Sequence, residues 1–317
     1  MALTRLTNPS FAGRAIRPHA GRMRTPINHT RFARIRTRLE AYVPPAGWPS
    51  WLYEFSLFVF KQGWACLFGA LMLALLLATH LFYPQNAALA RYDFLTLAAL
   101  AIQLGMLALR LETWSEAKVI LTFHLVGTVM ELFKTAYGSW LYPEPSLLRI
   151  GGVPLFSGFM YAAVGSYIAR VWRIFGFRFE PYPRSPWPQL LAAAIYVNFF
   201  AHHWLPDVRL LLFALLGLLF WRTRIHFTVW RTPRRMPLLV GWLLVALFIW
   251  LAENLATFAR AWSYPHQSDG WRLVSLTKLG AWYLLMYISF ILVAAVHRPR
   301  GVRASRRARD RPSAVRR

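Results

Sequence analysis

The sequence predicts an all-α fold, a polytopic helical membrane protein of about eight transmembrane helices. Three observations carry that prediction. Hydrophobic residues make up 57% of the 317, only 15% are charged where a soluble domain has roughly 25%, and the apolar residues fall in long blocks. Mean hydropathy is +0.36. A soluble enzyme, a disordered chain and a nucleic-acid module are excluded as first readings.

Residues 1–50 hold nine Arg, six Pro and one acid, Glu40. No apolar stretch follows early enough for a secretory signal, although the composition resembles an organelle transit peptide. The segment reads as a disordered cytoplasmic tail, with Met23 as a second candidate start. Residues 51–62, opened by Pro49-Ser50, are short and suit an interfacial helix. Residues 63–297 form the eight-span domain, and 298–317 a second Arg-rich disordered tail. Both tails favour anionic headgroups, so membrane lipids are the expected partners and nucleic acid is not.

The eight apolar blocks are Trp64–Tyr83, Phe94–Leu111, Ala117–Tyr137, Leu155–Phe175, Gln189–Leu205, Val208–Trp221, Leu238–Phe258 and Leu279–Val296. A span needs about 20 residues, so the sixth is short. With only Pro206-Asp207 between them, the fifth and sixth read as a tight hairpin or a partly re-entrant pair. With both termini in the cytoplasm, 30 Lys and Arg lie inside and six outside, and Lys134 within a span completes the 37. That asymmetry selects eight spans over seven and a bacterial inner-membrane location. No clear internal repeat is read.

Charged groups at membrane depth cost about 2.5–3.5 kcal/mol each, so every one asks for a reason. The third span carries His124, Thr128, Glu131 and Lys134, the first three on one face, with Glu131 and Lys134 close enough to pair. The fifth ends in Asn198, His202, His203 and Asp207, and the seventh carries Glu253 and Asn254. Glu131, Lys134, His202, His203, Asp207, Glu253 and Asn254, with His80, Asp93 and Lys278, gather toward the outer leaflet. His124, Gln103 and Asn198 are mid-membrane, and with only Glu112, Glu116, Lys118 and His226 at its loop edges the cytoplasmic half is nearly dry. Loop 138–153, rich in Gly, Pro and aromatics, is expected to fold back over the helix ends.

Glu131, Glu253, His202 and His203 are therefore the candidate acid/base residues, and His124, Lys134, Asn198, Asn254 and Trp140 the candidate substrate-binding ones. A structural reading stands beside each: a buried ion pair for Glu131, interfacial belt positions for the histidines. No cofactor motif is present, and nine His with no HxxxH, together with one Cys, leave no ligand spacing that enforces a metal. An enzyme or binding protein for a lipid-like molecule, a proton-coupled transporter and a structural membrane protein all remain open. The one-sided polar interior favours the first.

The stretches KQGWACLFGA, HLVGTVMELFKTAYGSWLYPEPSLLRIGGVPLFSGFMYAAVGSYIARVW, YVNFFAHHWLPDVR and WLAENLATFARAWSYPHQ resemble the bacterial membrane family called domain of unknown function 817, over roughly residues 51–297. The resemblance brings no activity with it. More distantly, the stretch from Glu131 to Pro154 is similar to membrane carotenoid hydratases of the bacterioruberin type. That likeness implies acid-catalysed addition of water to an isoprenoid double bond, without carrying over those enzymes' catalytic residues.

Overall fold

The computed structural model describes residues 38–39 and 41–297. The two Arg-rich tails expected to be disordered lie almost wholly outside the described residues. The chain divides into two units, Met1–Tyr42 and Val43–Arg317. Among the described residues the second unit holds nine α-helices of twelve residues or more: α1 (Trp48–Ala65), α2 (Leu67–Phe82), α3 (Arg91–Ala108), α4 (Trp114–Ala136), α5 (Phe156–Phe175), α6 (Trp187–Ala201), α7 (Arg209–Phe220), α8 (Leu238–Phe258) and α9 (Thr277–His297).

Each of the eight apolar blocks is thus a helix. Three of them, α4, α8 and α9 (the last counted to Val296), are long and apolar enough to cross a membrane. A fourth crossing results if α1 and α2 count as one span, bent by 69° at Cys66. The helix expected over 51–62 is longer than predicted, because Pro49 starts it in the first turn and nothing breaks it before Cys66. Helix α6 ends at Ala201 and α7 begins only at Arg209, so His202 and His203 lie in a loop and not on a helical face. At 15 and 12 residues, α6 and α7 reach about 22 and 18 Å, short of a hydrocarbon core of about 30 Å.

Local sequence explains the ends. Thr113 and Glu116 form a reciprocal capping box at the start of α4, and Gly176 closes α5 in the left-handed conformation. Helices α4 and α5 approach closely through small residues. A Cβ added at Gly127 would stand 2.7 Å from Tyr161, and one at Gly158 2.4 Å from His124. Large apolar side chains remain exposed along the outer faces, for example Leu121, Leu125 and Val129, four apart on α4.

Five short strands add to the all-helical expectation. β1 (Arg149–Ile150) and β2 (Val153–Pro154) form a hairpin inside the 138–153 loop. Its two-residue turn is Gly151-Gly152, both at positive φ (53° and 83°), as a twisted hairpin of this kind requires. β3 (Arg178–Glu180), β4 (Arg224–Thr228) and β5 (Pro233–Pro237) pair antiparallel in that order. Phe179, Ile225 and Met236 share one face of this sheet and line a cavity of about 110 Å³.

The 138–153 loop does fold back on the helix ends. The Asp93 carboxylate at the start of α3 accepts hydrogen bonds from the Leu147 and Leu148 amides at 2.7–3.0 Å, and Arg91 pairs with Glu144 at 3.1 Å. Leu141 and Ser263 exchange both backbone hydrogen bonds, at 3.0 and 2.9 Å, and tie this loop to the one after α8.

Candidate functional site

Glu131, in the second-last turn of α4, is almost fully buried and accepts three hydrogen bonds. They come from the Trp140 Nε1 at 2.7 Å and the Tyr142 and Tyr161 hydroxyls at 2.5 Å. Glu253, in the corresponding place on α8, accepts from the Tyr264 hydroxyl at 2.5 Å and the Trp282 Nε1 at 2.8 Å. All four carboxylate oxygens are therefore occupied. Burial pushes the Tyr142 and Tyr264 hydroxyls well above the usual phenol range, and the carboxylates they face push the same way. Both tyrosines thus remain O–H donors.

Lys278, at the start of α9, joins the two carboxylates into one cluster. Its ammonium lies 5.3 Å from the Trp140 ring centre and 4.3 Å from that of Tyr264, each ring belonging to a donor of a different glutamate. It stands within electrostatic reach of both Glu253 and Glu131. Trp140 and Tyr264 belong to one buried cluster with Trp250 and Val274. Below, Tyr161 and Trp282 line a largely apolar cavity of about 40 Å³ between the helices.

The other expected residues are not part of this cluster. Lys134 does not pair with Glu131; its Nζ sits 3.1 Å from His203 Nε2 and over the Phe199 ring. His202 binds its own helix end through the Asn198 carbonyl at 3.1 Å, with its ring 4.3 Å from that of His203. Asn198 joins Asp207 and the Val208 amide. Asn254 serves the backbone, accepting from the Val274 amide at 2.8 Å and donating to the Trp250 carbonyl. His124 lies beside Phe159, ring centres 4.7 Å apart, and among the described residues its buried Nδ1 has no hydrogen-bond partner. Among the described residues, no group of three or more His, Cys, Asp or Glu could hold a metal ion.

Sequence reasoning placed Lys278 at the outer end of the last span without giving it a role, and missed Tyr142, Tyr161, Tyr264 and Trp282. A signal for them existed. The stretches ELFKTAYGSWLYP (131–143) and ENLATFARAWSYP (253–265) share Glu, Thr, Trp, Tyr and Pro at a constant offset of 122 positions. The same offset relates His80 to His202, Pro84 to Pro206, Gly158 to Gly280 and Tyr161 to Tyr283. It also relates Leu141 to Ser263, the pair whose reciprocal backbone bonds join the loops, and the two Glu–Tyr bonds each span 11 residues. Helices α2–α5 are thus repeated as α6–α9, correcting the reading of no repeat.

The dry cytoplasmic half also needs correction. At the opposite ends of α4 and α5, Arg170 and Glu116 are fully buried and Glu112 nearly so. Glu112 accepts from Gln103 at 2.6 Å and Ser166 at 3.1 Å and lies 3.9 Å from Arg170, while Arg173 pairs with Glu116 at 2.9 Å. Their arginine partners lie more than 50 residues away in sequence, which is why local pattern alone does not reveal the cluster.

The family described as "Protein of unknown function (DUF817)" matches residues 54–290. The uncharacterized protein YoaT of Bacillus subtilis (strain 168) is 44% identical over 239 residues, covering 75% of this chain and 90% of that one. No solved structure matches.

Proposed function

The chain belongs to the DUF817 family, and on that premise we propose that it is an eight-span inner-membrane protein whose Glu131–Glu253–Lys278 cluster is an acid/base site for a lipid or isoprenoid-like molecule. One observation carries the reading. Two buried carboxylates, equivalent in the two halves of the chain, share a single lysine inside an aromatic wall that borders an apolar cavity. Charged groups at such depth serve function more often than stability. The 30-to-6 distribution of Lys and Arg supports cytoplasmic termini, an orientation in which the cluster faces the outer leaflet.

The test is a comparison of lipid extracts from cells lacking the protein and cells expressing the wild type, Glu131→Gln or Glu253→Gln. A lipid or isoprenoid species converted or depleted only with the wild type is the expected result. Identical extracts from all four would overturn the reading.

The repeated halves and the second buried cluster around Arg170 favour a proton-coupled carrier as a second reading. Carriers are commonly built from repeats and place polar groups on both sides of the bilayer. Proton uptake by proteoliposomes after a pH jump, absent in Glu131→Gln, would support it over the first.

A further inference from the structure

Within the outer cluster, hydrogen-bonding capacity is unevenly spent. Glu131 accepts three bonds and Glu253 two, so each carboxylate oxygen already has a donor. The Trp and Tyr donors are committed to those oxygens. Lys278 differs. Among the described residues its ammonium has no hydrogen-bond partner and no carboxylate within ion-pair distance, and two aromatic faces hold it instead. Its side chain is half-buried, so it is reached from one side.

The repeat sharpens this difference. At the offset of 122 that relates the two glutamates, the position equivalent to Lys278 is Phe156, which is fully buried against Tyr92 and Tyr142. The two halves thus match in their carboxylates and differ at the residue that fills the space between them. A lysine where the other half packs a phenylalanine is the point at which the pseudo-symmetric cage becomes polar toward a ligand.

We propose that Lys278 is the residue that meets the ligand, donating N–H hydrogen bonds to a neutral oxygen, a hydroxyl or carbonyl, on a lipid-like molecule. This rests on the site assignment above and names its ligand class. The two carboxylates attract Lys278 without pairing with it, which leaves its N–H groups open to a ligand. A phosphate is disfavoured because two carboxylates outnumber the one lysine in the cage. Of the other cations within electrostatic reach, Arg209 is already paired with Asp207 at 3.1 Å, and Lys134 is held by His203 and the Phe199 ring. A cationic ligand is disfavoured because the ammonium occupies the aromatic faces that would receive it.

The experiment uses the purified full chain with three probes of one chain length: hexadecanol, hexadecane and hexadecyl phosphate. Hexadecanol raises the melting temperature of the wild type, the other two do not, and the rise disappears in Lys278→Met. Equal stabilisation of Lys278→Met by hexadecanol, or no shift of the wild type by any probe, overturns the proposal. Preferential stabilisation by the phosphate overturns the ligand class.

A second measurement needs no variant. Reductive methylation of Lys278, followed by peptide mass, slows about tenfold with hexadecanol at ten times its dissociation constant, while exposed Lys118 is unaffected. Unprotected Lys278 overturns the proposal even if the variant fails to fold. The acid/base reading is judged separately by the lipid extracts: unchanged extracts with a protected Lys278 remove the chemistry and leave a binding site.

Discussion

Removing an acceptor from a saturated buried cluster costs more the more donors it leaves facing nothing. Glu131 satisfies three donors and Glu253 two. A glutamine at either place turns one oxygen into an NH2, which cannot accept. Glu131→Gln strands Trp140 and Tyr142, or else Tyr161, while Glu253→Gln strands one donor. At about 1–3 kcal/mol for each stranded buried donor, both Gln variants melt lower, and Glu131→Ala, which strands three donors, falls further than Glu253→Ala, which strands two. Thermal unfolding of the two Ala variants in the same detergent checks the order; the reverse order would mean that Glu253 carries the greater structural load. Glu131 and Glu253 were legible from sequence because an acid in an apolar helix is conspicuous. Their donors were not, since Tyr142 and Tyr264 sit in loops where aromatics are ordinary interface residues, and only their matched spacing distinguishes them.

At the scale of elements, the outer loop is held by a side chain that does no chemistry. Asp93 receives the Leu147 and Leu148 amides, and the same loop carries Trp140 and Tyr142 to Glu131. Asp93→Ala removes charge-assisted bonds worth about 1.5–3 kcal/mol each. Residues 144–150 should then exchange amide hydrogens faster, while the α4–α5 interface, locked by Gly127 and Gly158, keeps its protection. Uniform loss of protection across the chain would mean that Asp93 supports the whole fold and not the loop alone. Apolar blocks and helix ends were readable because capping boxes, prolines and glycines act locally. The three-stranded sheet was not, because its strands come from segments 178–180 and 224–237, brought together only by the packing of helices between them.

For the molecule as a whole, the charge asymmetry and the repeat constrain each other. On the proposed eight-span topology, two halves of four helices, each with an even number of crossings, would enter the membrane in the same orientation and put Glu131 and Glu253 at the same depth. Their shared lysine and the Leu141–Ser263 pairing meet that requirement. The repeat escaped the sequence reading because its identities are sparse and the positions between them hold interchangeable apolar residues. Hydrogen-bond equivalence makes it visible. Orientation is then a single binary choice, and the basic loops make it: segment 222–236 carries five Arg and no acid, whereas loop 259–276 carries Arg260 and Arg272 with Asp269. In a Cys66→Ser background, Asp269→Cys should react with a membrane-impermeant thiol reagent in intact cells, and Arg235→Cys only after permeabilisation. Both positions are exposed, so accessibility within the fold does not decide the result. Labelling of both in intact cells would mean that α8 does not cross the membrane between them, and would overturn the eight-span reading on which the outer-leaflet site rests.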